Sequence, residues 1–264
     1  MKYLLLFSII MATGFAYKPK PVLYLIGDST VATGSAKGDI QGWGGLLYKY
    51  IDTTRISIRN RAISGASSRT FYTGGVHDKS MRVYGLWQGV LQSLKPGDHV
   101  MMQFGHNDDA PIADSARSRG TLKGTGDDSI KMFNRFLDRN ETVHTYGWYL
   151  SRFIQEAKGR GASVIVCSPV PKNRWKDGKV ERVGDYEQWA ALIAEKNRSG
   201  MIKLNSLVAD EYDSEGEFLA GTAYFVSDKV HTNMAGADKN ASIVSDAIKK
   251  MRKSDFRKYL KKNL

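Results

Sequence analysis

The first chemical signal lies in three polar residues near opposite ends of the chain. Ser29 follows Gly27 and Asp28, just after the apolar run Val22 to Ile26, which reads as a buried strand meeting a turn. A serine so placed stands at the carboxyl edge of a sheet, where a following helix N-terminus favours an anion. Far downstream, Asp228 and His231 are separated by two residues, so one loop can bring the carboxylate to the imidazole. Such a carboxylate fixes the ring tautomer and stabilises the imidazolium that forms when a serine gives up its proton. Gly-Asp-Ser also describes an ordinary turn or helix cap, and Asp-x-x-His also describes a metal pair. The metal reading needs more ligands, and five histidines and one cysteine form no ligand cluster, so no metal is expected.

Acyl transfer to a serine also needs donors for the oxyanion. Gly65 can present its backbone N–H to a ligand without a Cβ in the way. Asn107, in Phe104-Gly105-His106-Asn107-Asp108, offers a side-chain amide. Taken alone, Gly65 reads equally as a turn glycine and Asn107 as a loop cap. Their order, each after its own strand, adds weight to the serine and the histidine. Trp43, Arg69, His106, Trp148, Arg174 and Trp175 are candidates for contacting a ligand, since arginine forks pair with carboxylates and aromatic planes cover flat ring faces; all but His106 read more readily as structural residues.

The elements that must position these groups alternate along the chain. Strands are expected at Val22–Ile26, from Ile56, at Val100–Phe104, Ser163–Cys167 and Met201–Leu204. Helical spacing marks Gly42–Ile51, Tyr146–Lys158, Tyr186–Asn197 and Ala235–Met251. That alternation predicts an α/β fold with a parallel sheet covered on both faces. One segment breaks the rhythm. Asp108 to Thr145 is long, polar and glycine-dotted, with a possible helix over Ile130–Leu137, and it follows the third strand's carboxyl end, where ligands bind in open α/β sheets. It reads as a substrate-facing insertion. Its six Lys or Arg and seven Asp or Glu suit a polar, sugar-like substrate better than a lipid.

Residues 1–16 have the form of a secretory signal peptide: Lys2, then an apolar stretch from Tyr3 to Met11, then small residues at Gly14 and Ala16. The stretch is about half the length that spans a bilayer comfortably, so no stable membrane insertion of the mature chain is expected. Residues 17–264 are expected to form one domain, exported to the periplasm or the medium. The single cysteine, Cys167, has no partner for an internal disulfide. The net charge is +12, but residues 249–264 hold eight Lys or Arg against only Asp255. Without that +7 and Lys2, residues 17–248 carry +4. The tail reads as a solvated, charged helix end, and nucleic-acid binding is not expected.

Four blocks in order, Gly27-Asp28-Ser29-Thr30, Gly65, Gly105-His106-Asn107-Asp108 and Asp228-x-x-His231, resemble those of the SGNH/GDSL hydrolases. The rhamnogalacturonan acetylesterase group is similar in more detail, through Gly42-Trp43-Gly44, Asn60-Arg61-Ala62, Ser67-Ser68-Arg69-Thr70-Phe71 and His231-Thr232-Asn233. The chain departs from that group at Ala66, where an arginine usually follows the block-two glycine. The resemblance implies a three-layer α/β/α sandwich with a parallel sheet of about five strands, and no metal or organic cofactor. It also implies a serine esterase removing O-acetyl groups from a plant cell-wall polysaccharide such as rhamnogalacturonan. In that reading Ser29 is the nucleophile, His231 the base and Asp228 its orienting acid. The Ser29 and Gly65 N–H groups and the Asn107 amide serve the oxyanion, and His106, Trp43, Arg69 and Arg174 contact substrate. The alternatives are an SGNH esterase or lipase on xylan or other small esters, and a non-catalytic carbohydrate-binding protein.

Overall fold

The computed structural model describes residues 19–34, 39–76, 86–113, 116–252 and 254–262. The expected signal segment lies outside them. Five strands form one parallel sheet: β1 Val22–Gly27, β2 Ser57–Asn60, β3 His99–Gln103, β6 Ser163–Cys167 and β9 Gly200–Ile202, in the order β2-β1-β3-β6-β9. The remaining strands pair as two antiparallel hairpins, β4 Ser129–Asn134 with β5 Arg139–His144, and β7 Trp175–Lys176 with β8 Lys179–Val180.

Successive strand residues point to opposite faces, and the two cores follow that alternation. Leu23, Leu25, Met101, Ile165, Cys167 and Ile202 pack on one side, against residues of the helices Leu204–Glu215 and Met234–Lys250. Tyr24, Ile26, Val100, Met102, Val164 and Val166 pack on the other, against Ser68–Thr73, Leu86–Ser93, Tyr146–Gly159 and Tyr186–Lys196. This is the three-layer α/β/α arrangement. Apolar runs with both faces buried are what an interior parallel sheet requires.

The structure departs from the expected elements in three places. Gly42–Ile51 is not one helix but two 3₁₀ turns, Trp43–Gly45 and Leu47–Lys49. Gly42, Gly44 and Gly45 make an α-helix costly here, and a Cβ on Gly44 would sit 2.5 Å from the Val31 carbonyl oxygen. Ile130–Leu137 is not helical either; its first part is β4, which turns back at Asp138 into β5. Asn134 Oδ1 accepts from the backbone N–H groups of Phe136 and Leu137 and so stabilises a turn over a helix.

The third departure is the basic tail. Asp255–Tyr259 forms a 3₁₀ turn whose Phe256, Tyr259 and Leu260 are buried in the core. Leu260 bridges Ile51, and Lys261 N–H donates to the Tyr50 carbonyl at 3.0 Å. Phe256 and Tyr259 lie edge-on to His99, the first residue of β3. The tail therefore closes the amino-terminal end of the sheet. Arg257, Lys258, Lys261 and Lys262, interleaved with or following its apolar residues, face water, which is why its composition reads as a solvated end.

Candidate active site

Four loops meet at the carboxyl ends of the strands. The first follows β1. Its turn is built by Asp28, whose Oδ1 accepts from Thr30 N–H at 2.8 Å and Thr30 Oγ1 at 2.7 Å. The Asp28 carbonyl accepts from the N–H groups of Val31 and Ala32, so Ser29 rides at the apex of a rigid turn. Burial pushes the Asp28 carboxyl up, but the adjacent His106 and the Thr30 bonds outweigh it and hold the group below the usual carboxylate range.

The second loop comes from the segment before the helix Met234–Lys250. His231 Nε2 lies 2.8 Å from Ser29 Oγ, and its Nδ1 lies 2.5 Å from Asp228 Oδ2. The other Asp228 oxygen accepts from Val230 N–H at 2.8 Å and His231 N–H at 2.9 Å. Both carboxylate oxygens are thus committed to the loop. Although burial raises it, those backbone and imidazole bonds hold Asp228 below its ordinary pKa. The loop is itself anchored: Phe225 bridges Thr232, Thr232 Oγ1 donates to the Gln41 carbonyl, and Asn233 caps the following helix through Gly236 N–H. With Nδ1–H donating to Asp228, Nε2 is left to accept the Ser29 hydroxyl proton.

The third and fourth loops supply Gly65 and Asn107, which line one open cleft together with Ser29 and His231. Gly65 sits in the turn closed by Ala66 N–H to the Ile63 carbonyl, at φ 77°, a value that favours glycine at the third position of such a turn. Asn107 Nδ2 donates to the Ala66 carbonyl at 2.9 Å, while Arg119 Nη1 donates to Asn107 Oδ1 at 2.7 Å. One N–H of the amide remains for the cleft. Beside it, the buried Asp108 carboxylate accepts from Ser68 N–H and Ser68 Oγ, which joins the third loop to the start of the helix Ser68–Thr73. Burial pushes Asp108 up to about 7.

The structure separates the four residues expected to contact substrate. His106 lines the cleft, with Nδ1 3.2 Å from Asp28 and Nε2 2.8 Å from the Val170 carbonyl. Its nitrogens brace the loops after β1 and β6. Arg174 is exposed and lines a second cavity that shares His106 with the cleft. Trp43 and Arg69 are corrected: both are fully buried and cannot touch a polysaccharide. Trp43 packs in the core and donates from Nε1 to Gln103 Oε1 at 2.9 Å. Arg69 makes a two-pronged ion pair with Glu141 of β5, at 3.1 and 2.7 Å, and donates to the carbonyls of Ile112 and Gly120. It pins the insertion to the domain. Trp148 stacks on His144, and Trp175 donates to Asn173; neither lines the cleft.

Sequence reasoning missed Arg117, Arg119 and Lys172, which line the cleft as well. Two of them come from the Asp108–Thr145 insertion, whose substrate-facing reading pointed to them in general but not by number. Lys172 follows β6 through Pro169-Val170-Pro171, a stretch with no motif of its own. Among the described residues, no group of three or more His, Cys, Asp or Glu could hold a metal ion, and no helix is long and apolar enough to cross a membrane.

Comparison with known proteins agrees with this geometry. Residues 25–239 match the GDSL-like Lipase/Acylhydrolase family. The chain is 27% identical to a rhamnogalacturonan acetylesterase of Emericella nidulans over 86% of its own length and 83% of the relative's. It is 25% identical to the probable rhamnogalacturonan acetylesterase YesY of Bacillus subtilis, over 87% and 93%. Among solved structures, Bacillus subtilis YxiM superposes with a TM-score of 0.67 at 25% identity, over 88% of this chain and 56% of that one. An acetylxylan esterase of Geobacillus stearothermophilus, at 17% identity and a TM-score of 0.51 over 89% and 95%, shares the fold. The chain belongs to the GDSL-like lipase/acylhydrolase family and is an ester hydrolase of the SGNH type.

Proposed function

We propose that this protein removes O-acetyl groups from a pectic polysaccharide, with rhamnogalacturonan as the favoured backbone, and that it acts outside the cytoplasm after loss of its signal segment. The observation that carries the reading is the continuous chain Ser29 Oγ, His231 Nε2, His231 Nδ1, Asp228 Oδ2, with links of 2.8 and 2.5 Å. His231 accepts the Ser29 proton as Oγ attacks the acetyl carbonyl. The oxyanion is held by the N–H groups of Ser29 and Gly65 and the free N–H of Asn107. The imidazolium then protonates the departing sugar oxygen, which leaves as a free hydroxyl with acetyl-serine behind it; water, deprotonated by His231, attacks that ester, and the proton passes back to Ser29 Oγ as acetate is released.

The polar substrate is supported by the cleft lining, to which Arg117, Arg119 and Lys172 contribute along with Ser29. The named relatives support rhamnogalacturonan over xylan. Acetate release should be measured across acetylated rhamnogalacturonan, homogalacturonan, xylan and glucomannan. The expected order has rhamnogalacturonan first; faster release from xylan overturns the substrate assignment. In the same assay Ser29→Ala and His231→Ala should fold and lose roughly 10³-fold or more of the activity. Near-normal turnover by a verified Ser29→Ala protein overturns the assignment of the nucleophile.

A further inference from the structure

Lys172 occupies the junction between two spaces. Its side chain lines the cleft that holds Ser29 and also a neighbouring cavity of about 180 Å³ walled by Gly105, Pro169 and Tyr186. The neighbouring cavity shares His106 and Lys172 with the catalytic cleft, so it extends that cleft towards the position of a sugar unit next to the one being deacetylated.

The electrostatics of that junction are unbalanced. Lys172 is half-buried, and among the described residues it has no carboxylate within ion-pair distance. The two acids that favour its charge are already engaged. Asp28 is bound to Thr30 and His106, and Asp109 is paired with Lys123 at 3.3 Å. Burial, with like charge from Arg174 and more weakly from Arg119, holds the ammonium below its ordinary pKa. Arg182, on the wall of the same cavity, shows the contrast: it is neutralised by Asp210 and Asp213 at 2.7 and 3.0 Å. A partly buried ammonium without a counter-ion is costly, and the cost is relieved when a ligand brings the opposite charge.

We propose that Lys172, flanked by Arg174, binds the carboxylate of a uronic acid unit in the cavity beside Ser29 and thereby selects acetyl groups that neighbour an acidic sugar. The identity of the ligand as a saccharide rests on the deacetylase reading above; the preference for negative charge rests on the junction itself. Arg174 is exposed, so its attraction is screened by salt, and Lys172 carries the larger share.

Calorimetric titration tests this without relying on turnover. The ligands are digalacturonate and galactobiose, its carboxyl-reduced analogue, and the proteins are wild type, Lys172→Met and Lys172→Arg, each checked by its melting temperature. Wild type is expected to bind the acidic ligand at least about tenfold more tightly, as a charge-assisted contact allows. Lys172→Met should erase that gap, and Lys172→Arg should keep most of it. Equal binding of the two ligands by wild type overturns the proposal, as does a preference that survives in Lys172→Met. Failure of wild type to deacetylate any pectic fraction, with the charge preference intact, sinks the deacetylase reading instead.

Discussion

The Arg119 guanidinium donates to Asn107 Oδ1 at 2.7 Å and so decides which end of that amide faces the cleft. With the oxygen held by Arg119 and one N–H spent on the Ala66 carbonyl, the other N–H has one direction left. A cation on the amide oxygen also withdraws electron density from the nitrogen, which makes its hydrogen a better donor to an oxyanion. Asn107→Ala is expected to lower kcat by about 10²–10³, with KM little changed. Arg119→Met should lower kcat by about tenfold in the wild-type background and add little on top of Asn107→Ala, since residues acting through one another are not additive. A double-mutant cycle on 4-nitrophenyl acetate reads this directly. Fully additive losses would show that Arg119 acts independently of Asn107.

The strands were legible in the sequence because a parallel sheet covered on both faces writes itself as short apolar runs, as in Leu23–Ile26 and Val164–Cys167. The site was legible because its residues sit directly after those runs. Side-chain direction was not. Arg69 lies in the same stretch as the Gly65 turn, yet it points inward to Glu141, a partner 72 positions away that no local pattern reveals. A tryptophan flanked by glycines, as Trp43 is, suits a sugar platform or a core position alike, and its ring is wholly buried in the core. The hairpin β4–β5 escaped notice because its exposed faces mix charged and apolar residues without clean alternation.

The tail calls for a prediction about stability, not about recognition. Phe256 is buried between His99 and Tyr259, with ring centroids at 5.0 and 5.6 Å. Phe256→Ala is expected to cost about 3–5 kcal/mol, as other large-to-small changes in cores do. Truncation after Met251 removes Tyr259, Leu260 and the bridge to Ile51 as well, and should cost more. The tail closes the end of the sheet opposite Ser29, and five strand residues at ~3.3 Å each put roughly 15 Å between them. Its charge is therefore screened from the cleft near 0.1 M salt. Urea titration of Phe256→Ala should show a lower midpoint, while kcat/KM on acetylated pectin, measured well below the melting temperature, stays within about threefold of wild type. A tenfold loss with pectin but not with a neutral ester would place the tail in substrate binding.

The same contact makes His99 a pH-sensitive element of the fold. Burial against Phe256 and Tyr259, reinforced by the Lys258 charge, lowers its pKa from 6.5 to about 4. Its Nδ1 lies 2.5 Å from Ser163 Oγ, so the neutral ring already has a hydroxyl donor, which protonation would displace. The unfolded chain binds a proton on this residue below about pH 6.5, whereas the folded chain does not until about pH 4. Stability contributed by neutral His99 is therefore complete above pH 6.5 and is lost as pH falls towards 4, by an amount on the order of 3 kcal/mol. Asp108 works in the opposite direction. Burial raises it to about 7, so the folded state holds its proton more tightly than the unfolded state, and its contribution grows as pH falls below 7. The wild-type melting temperature alone would blend the two, and the comparison must be made by variant. His99→Asn should be less stable than wild type at pH 7.5, because it loses the packing with Phe256 and Tyr259. That deficit should narrow by about 2–3 kcal/mol by pH 4.5, since only wild type has a buried imidazole to charge. Asp108→Asn should show the reverse, a deficit that widens as the pH is lowered. Urea titrations of the three proteins at pH 7.5, 6 and 4.5 give these differences, and a His99→Asn deficit that stays constant across them would refute the assignment.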